Sequence, residues 1–307
     1  MSRRRTSHVF QPTLDEIAFP DGRWCQRWNA GTAVWQPGLT SRDERRAADT
    51  WRRRRRGGFD KSRYEVRRIA YSDAKKYVEQ HHYLHTFVAC KVAFGILDQA
   101  GYLRGVIVLS NAASDAVLTS AWPTLRPNSE STCIGRVVLA DELDSNAESW
   151  AIGQALKMAR TLGFRAVVTF CDPVPRDSVD GKRVHPGHYG TVYRATNMLH
   201  TGRSRNRTML LFPDGTALDP RALSKVVNGE SGRQYVQRRL EAHGASPPRR
   251  GEHVRDWLVR AFDAAGVREQ KVSGVLRFQL ALDAGVPCGR VALDYPAYGS
   301  SAPLATL

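Results

Sequence analysis

The stretch STCIGRVVLADELDSNAESWAIGQALKMARTLGFRAVVTFCD, residues 131–172, decides the fold. It opens on STCIGRVVL, an apolar run rich in β-branched residues that reads as a buried strand. SNAESWAIGQALKMARTLG follows, with Ile152, Leu156 and Ala159 recurring at helical spacing. Ser145 or Asn146 stands where an N-cap belongs, and Gly163 where a helix stops. FRAVVTFCD is again a buried strand. Two buried strands joined by a helix form a crossover, so the strands are expected to lie parallel in one sheet.

Outward from this unit the alternation continues. YEVRRIAY (64–71) reads as a strand and SDAKKYVEQHHYL (72–84) as a helix capped by Ser72. VAFGILDQAGYLRGVIVLS (92–110) reads as a β-hairpin around Gln99-Ala100-Gly101. Strand, helix, hairpin, strand, helix, strand is a mixed α/β order. After Asn197 the pattern weakens. TMLLFPDGTALD (208–219) resembles a strand and turn, GRQYVQRRLEAHG (232–244) a short amphipathic helix, and SGVLRFQLALD (273–283) a late strand. Residues 245–251 and 284–307 read as loop and tail, and there is no internal repeat. The expected organisation is an arm over 1–58, a catalytic core over 59–212, and an extension over 213–307 packing on that core.

Charge is the loudest bulk signal. Forty-six Lys+Arg against 30 Asp+Glu give +16 and a pI near 10.1, a balance suited to a polyanionic partner such as nucleic acid. The arm holds 13 arginines, no lysine and six acids, and ends in WRRRRRGG (51–58). Arg52, Arg53 and Arg54 are therefore candidate phosphate contacts. Five widely spaced cysteines with no CxxC pair suit reduced thiols. No run is long enough for a transmembrane helix and the first residues lack the apolar core of a leader, so a cytoplasmic location is expected.

Ligands on a sheet with parallel strands gather beyond the carboxyl ends of those strands, beside helix N-termini. Asp172 leaves a strand there, and HPGHYGTVYRATNMLHTG (185–202) supplies a concentration of polar groups just beyond it. Arg136, set within an apolar strand, needs an anionic or carbonyl partner. It binds donor or substrate, or pairs structurally with Asp172 or Asp141. Asn146 and Ser149 serve as a helix cap, as an anion site, or as both. His185 and His188 are three apart, but no third ligand stands at a telling spacing, so no metal is expected. His188 suits a general base or hydrogen-bond donor. Tyr193 is either a stacking platform or a core residue, and one of His81, His82 and His85 borders the cleft beside Tyr83. Arg203, Arg205 and Arg207 alternate, so an extended segment would present them as a rail to phosphates.

The order HHYLH (81–85), FGIL (94–97), IGRVVLADELDSNAES (134–149), VVTFCD (167–172), GHYGTVYRATN (187–197) and HTG (200–202) resembles the Mom family of phage DNA-modification proteins, divergent relatives of the GNAT acetyltransferases. The resemblance implies a GNAT-like fold with a mostly antiparallel sheet flanked by helices. It also implies a transferase that attaches a carbamoylmethyl-type group to N6 of adenine in DNA and so shields phage DNA from restriction enzymes. Matched letter by letter, it points to Tyr83, Arg136, Asp172, His188 and Tyr193 around the reacting base. Asn146 and Ser149, with Arg136, are matched at the donor side, and Gly190, Ala195, Thr196 and Asn197 complete the last motif. Asn197 is taken as a nucleic-acid contact.

This chain departs from the GNAT pattern at one place. DELDSNAESWAIG has four acids and no glycine before Gly153, where acetyltransferases carry the loop that holds the pyrophosphate of acetyl-CoA. The donor, acetyl-CoA or another small activated molecule, is left open. A carbamoylmethyl group is joined through its methylene carbon, whereas acetyl transfer joins through the carbonyl. The expected partners are double-stranded DNA and that donor, and the site requires Arg136, Asp172 and Tyr193 to meet around a cavity. Two other classes compete: a DNA-coating protein without chemistry, and an N-acetyltransferase acting on a protein or small amine.

Overall fold

The computed structural model describes residues 59–82, 84, 86–140, 143, 146–181, 183–185 and 187–295, with the backbone of two short strands, β1 (Glu16–Ala18) and β2 (Trp24–Gln26), which pair antiparallel. The rest of the arm, with Arg52, Arg53 and Arg54, lies outside the described residues, as does Tyr83.

The described chain divides into two compact units. The larger is built on a seven-stranded sheet with order β10-β14-β7-β6-β5-β4-β3. Its strands are β3 (Tyr64–Ile69), β4 (Cys90–Asp98), β5 (Leu103–Ser110), β6 (Ser131–Leu139), β7 (Ala166–Cys171), β10 (Leu199–Arg203) and β14 (Leu276–Ala281). Every neighbouring pair is antiparallel except β6 and β7. The expected mixed α/β fold with a mostly antiparallel sheet is present, and its one parallel pair is the one that the crossover predicts.

Strand alternation separates two cores. Phe94, Ile96 and Ile107 face helix α3 (Ala147–Thr161), which buries Ala151, Ile152 and Leu156 against them. Ala93, Val106, Val108 and Val138 face the opposite way, onto Ala74, Tyr77 and Val78 of α1 (Tyr71–His81). A short helix α2 (Asp115–Thr119) adds Leu118, with Trp122 beyond it, over Cys133 and Val168. The β4–β5 turn is tied by Asp98, whose Oδ1 accepts from the Ala100 and Tyr102 amides, with Gly101 at φ 82. Ser72 does not cap α1. The cap falls two residues earlier, at Ala70, with no side-chain bond there.

The smaller unit takes residues 174–186 and 205–274. It contains the paired strands β8 (Arg176–Asp177) and β9 (Arg183–His185), and a three-stranded antiparallel sheet with order β12-β11-β13. Those strands are β11 (Arg207–Leu211), β12 (Ala217–Leu218) and β13 (Arg268–Val272). Helices α5 (Pro220–Val227), α6 (Gln234–Ala242) and α7 (Val254–Ala264) pack around Phe212, Val236, Leu240, Trp257 and Leu258. The division is thus not a linear one at 212/213. β14, taken from the expected extension, lies inside the large sheet between β10 and β7, because its apolar alternation is buried only there. Nor are residues 284–295 a loose tail. Val286 is buried beside Trp122, the Leu293 amide donates to the His200 carbonyl, and the Tyr295 hydroxyl donates to the Met198 carbonyl at 2.6 Å.

Candidate active site

β6 and β7 pair in parallel from Ser131 opposite Ala166 to Ile134 opposite Thr169, and the Thr169 hydroxyl donates to the Ile134 carbonyl. Beyond that point each strand keeps only its other neighbour. β6 follows β5 through a bulge at Gly135, since Ile134 stands opposite Leu109 and Arg136 opposite Val108. β7 follows β14 to Cys171, opposite Leu276. The carboxyl ends of the one parallel pair therefore part, which is where ligands bind in such sheets.

On the β6 side of the gap, Arg136 is half-buried and held by oxygens. Its Nε donates to the Thr86 carbonyl (3.1 Å), Nη1 to the Gly135 carbonyl (2.7 Å) and Nη2 to the Thr86 hydroxyl (3.0 Å). These partners are two backbone carbonyls and a hydroxyl. It pins the segment that enters β4 to the bulge, so its role here is to position that segment.

On the β7 side, Asp172 and His188 come together. The His188 amide donates to the Asp172 carbonyl (2.8 Å), and the Gly190 amide donates to His188 Nδ1 (3.1 Å). Burial pushes the His188 imidazole down to about 4, with the Asp172 charge opposing it. The ring is neutral at pH 7 with its proton on Nε2, an assignment made from the bond that Nδ1 accepts. A nitrogen already accepting a backbone N–H, in a ring this hard to protonate, is a poor general base. In this arrangement His188 presents Nε2–H as a hydrogen-bond donor, with the Asp172 carboxylate as the neighbouring charge. The Cys171 thiol beside them is raised by burial and then by the Asp172 charge, so it stays protonated and inert.

Gly190 sits at φ 75, the left-handed residue before helix α4 (Thr191–Ala195). Tyr193 on α4 is only 5% exposed. Its ring stacks on His188 (5.8 Å) and tilts against Phe278 (5.5 Å). Such a ring has no free face for a base, so Tyr193 supports His188 instead of stacking on substrate. Asn197 is exposed at φ 61 just after α4, a conformation that asparagine tolerates, and it serves to end the helix. Asn146 holds φ 76 before α3 without a side-chain cap bond, and Ser149 Oγ donates to the Asn146 carbonyl (3.1 Å). Glu148 occupies the first turn of α3. A left-handed residue, a hydroxyl turned to a carbonyl and an acid thus occupy the described part of this helix start, while residues 141, 142, 144 and 145 just before it lie outside the described residues.

Arg203, Arg205 and Arg207 are all exposed, but not on one strand. Arg203 ends β10 in the large sheet and Arg207 begins β11 in the small one, so alternation does not set their directions. His185 is buried at 1% exposed, with Nδ1 on the Val174 carbonyl (3.1 Å), and belongs to the smaller unit. Among the described residues no group of His, Cys, Asp or Glu is arranged to hold a metal ion, and no helix is long and apolar enough to cross a membrane.

Sequence reasoning named Gly190 only as a letter of the last motif, without its bond to His188, and missed Thr86. The first was readable as a glycine before a short helical run. The second carried no local signal, because its contact spans fifty positions.

The low affinity of His188 for a proton makes stability depend on pH. The native ring protonates near 4 and the unfolded ring near its ordinary value of 6.5, so between those values the unfolded chain binds more protons. Stability from this residue is complete above about pH 6.5 and falls as pH drops toward 4, by roughly 2–3 kcal/mol. Urea unfolding between pH 7 and 4.5 checks this: His188→Asn, which keeps an acceptor for the Gly190 amide, should show a shallower loss than the parent.

Solved structures with some likeness to the chain are N-acetyltransferases. The GNAT family N-acetyltransferase YhbS from Escherichia coli, solved with CoA, is 14% identical, covers 36% of this chain and 64% of its own, and has a TM-score of 0.27. The spermidine/spermine N-acetyltransferase SpeG from Vibrio cholerae is 9% identical over 72% of this chain and 94% of its own, with a TM-score of 0.34. Likeness at that level says nothing of substrate. No curated protein matches the chain. A family model described as the Mom protein family matches residues 63–255, more than half of the sequence and all of the strand-exit site. The chain belongs to the Mom protein family.

Proposed function

We propose that this protein is a DNA-modification transferase that attaches a carbamoylmethyl-type group to N6 of adenine in double-stranded DNA and so protects that DNA from restriction enzymes. The observation that carries the reading is the family match over residues 63–255, which takes in Arg136, Asp172, His188 and Tyr193 together. The formal charge of +16 supports a polyanionic substrate.

An adenine in a duplex must leave the stack before its N6 is reachable, at a cost of a few kcal/mol. Arg203, Arg205 and Arg207, all exposed, are proposed phosphate contacts that offset part of this cost. In the transfer itself a bond forms between N6 and the methylene carbon of the donor, and the bond from that carbon to its leaving group breaks. N6 gives up one proton, which the Asp172 carboxylate accepts. His188, neutral with Nε2–H, donates a hydrogen bond to substrate or donor oxygen without competing for that proton. Arg136 keeps the segment entering β4 in place across the gap. The donor is a small activated molecule held without a GNAT-type pyrophosphate loop.

The test is mass spectrometry of nucleosides from DNA of cells expressing the chain. A deoxyadenosine adduct of the carbamoylmethyl mass is expected. Unaltered nucleosides from cells making folded protein would overturn the reading.

A further inference from the structure

Within the smaller unit, α5 and α6 are consecutive helices joined by residues 228–233, and they pack on one another. Asp219 accepts from the Ala222 amide and Pro220 opens α5, while Gly229 (φ 69) and Gly232 (φ 87) turn the chain between the helices. Val226 of α5 and Val236 and Leu240 of α6 are buried with Phe212, Trp257 and Leu258. The two helices are held by one core and linked through a six-residue, glycine-containing loop, 228–233.

The outward face of α6 follows from that burial. With Val236 and Leu240 inside, Gln234, Tyr235, Arg238 and Ala242 point to solvent, and Arg233 stands exposed just before them. Lys225 Nζ lies beside Gly232 in the turn. Arg233 and Arg238 make only long bonds, each 3.4 Å, to carbonyls of their own segment. Lys225, Arg233 and Arg238 have no carboxylate partner among the described residues. The acids nearby are engaged elsewhere: Glu230 accepts from Asn228 (3.0 Å) and Glu241 from Gln237 (2.9 Å). Arg260 on α7 provides the contrast, since Glu252 neutralises it at 2.9 Å.

We propose that α6 is a docking helix for duplex DNA, separate from the strand-exit site. It enters the major groove with Gln234 and Arg238, four residues apart on one face, toward base edges, while Arg233 and Lys225 meet phosphates. Glutamine and arginine suit this role, because their forked donors and acceptors match adenine and guanine edges. A-form RNA is a poorer fit, as its major groove is too narrow for a helix. A protein partner fits less well, since Tyr235 is the only large apolar group exposed on α6, at 39%. The proposal rests on the reading that DNA is the substrate, and it adds where the duplex is held and by which residues.

The test measures binding of the full chain to an unmodified adenine-containing duplex by fluorescence anisotropy, over a series of salt concentrations. Replacing both arginines, R233A/R238A, should weaken binding by roughly tenfold or more and flatten the log–log salt slope by about two. Q234A should narrow the difference between duplex sequences and leave the slope unchanged. K157A, at an exposed position of α3 in the larger unit, should bind like the parent. Retained affinity and slope in R233A/R238A overturns the proposal, as does a parent chain that binds single-stranded RNA in preference to duplex. Adenine adducts counted in parallel keep the two readings apart. Lost binding in R233A/R238A with no adduct from any chain leaves the docking helix standing and removes the transferase, and unchanged binding with adducts present does the reverse.

Discussion

Asp172→Asn is expected to lower the deoxyadenosine adduct by about 10²–10⁴-fold, the range that loss of a positioned proton acceptor costs. The substitution keeps the shape and polarity of the side chain and leaves in place the backbone carbonyl that accepts from the His188 amide. The unfolding midpoint should therefore stay close to that of the parent. The same change removes the charge that opposes burial at His188, so the imidazole becomes still harder to protonate and cannot take over as base. Nucleoside mass spectrometry at matched protein levels checks the effect. An adduct level equal to the parent's would show that no proton is transferred to Asp172 and that the gap between β6 and β7 is not the reacting site.

Gly190→Ala is expected to destabilise the larger unit by about 2–4 kcal/mol, from two independent causes. At φ 75 a side chain brings the left-handed penalty of roughly 1–2 kcal/mol. An added Cβ would also fall against the edge of the Phe278 ring and 3.1 Å from Cys171 Sγ, both deep in the core, and overpacking there costs roughly 1–3 kcal/mol. Gly153→Ala is the natural comparison. Nothing lies within 4 Å of a Cβ built there, in the middle of α3, so that substitution should raise stability by up to about 1 kcal/mol. Chemical unfolding of the three chains measures both shifts. Because the Gly190 amide holds His188 Nδ1, the adduct should fall in Gly190→Ala even under conditions where the protein remains folded. A Gly190→Ala chain as stable as the parent would mean that the tight contact with Phe278 is relieved by an easy shift of β14.

The candidate site was half legible in the residues. Asp172 reads as a strand-exit acid because an apolar run of β-branched residues ends just before it. Its neighbour His188 is visible as a polar group in the following loop. Their chemical division of labour was not legible, since it depends on the burial of the imidazole and on a bond from Gly190 that only the folded loop makes. Tyr193 shows the same limit. On paper it is equally a base platform and a core residue, and the packing of Phe278 beneath it settles the matter. The alternate arginines 203, 205 and 207 look like one rail until the chain is seen to leave one sheet for another between them.

By itself the sequence determined the elements whose signals lie within about twenty residues: the strand, helix and strand of 131–172, the hairpin at Gly101, and the helix that ends at Gly163. It also pointed to the parallel direction of β6 and β7 through the crossover helix between them, although a helix alone does not force this, since α1 joins the antiparallel pair β3 and β4. Only tertiary structure decided that β14 enters the large sheet, that Arg136 binds Thr86, and that residues 205–274 gather with 174–186. The physical reason is one of range. Periodicity and caps are properties of neighbouring residues, whereas which strand fills a gap in a sheet, or which carbonyl meets a half-buried cation, is settled by the burial and polar pairing of groups that come together only on folding.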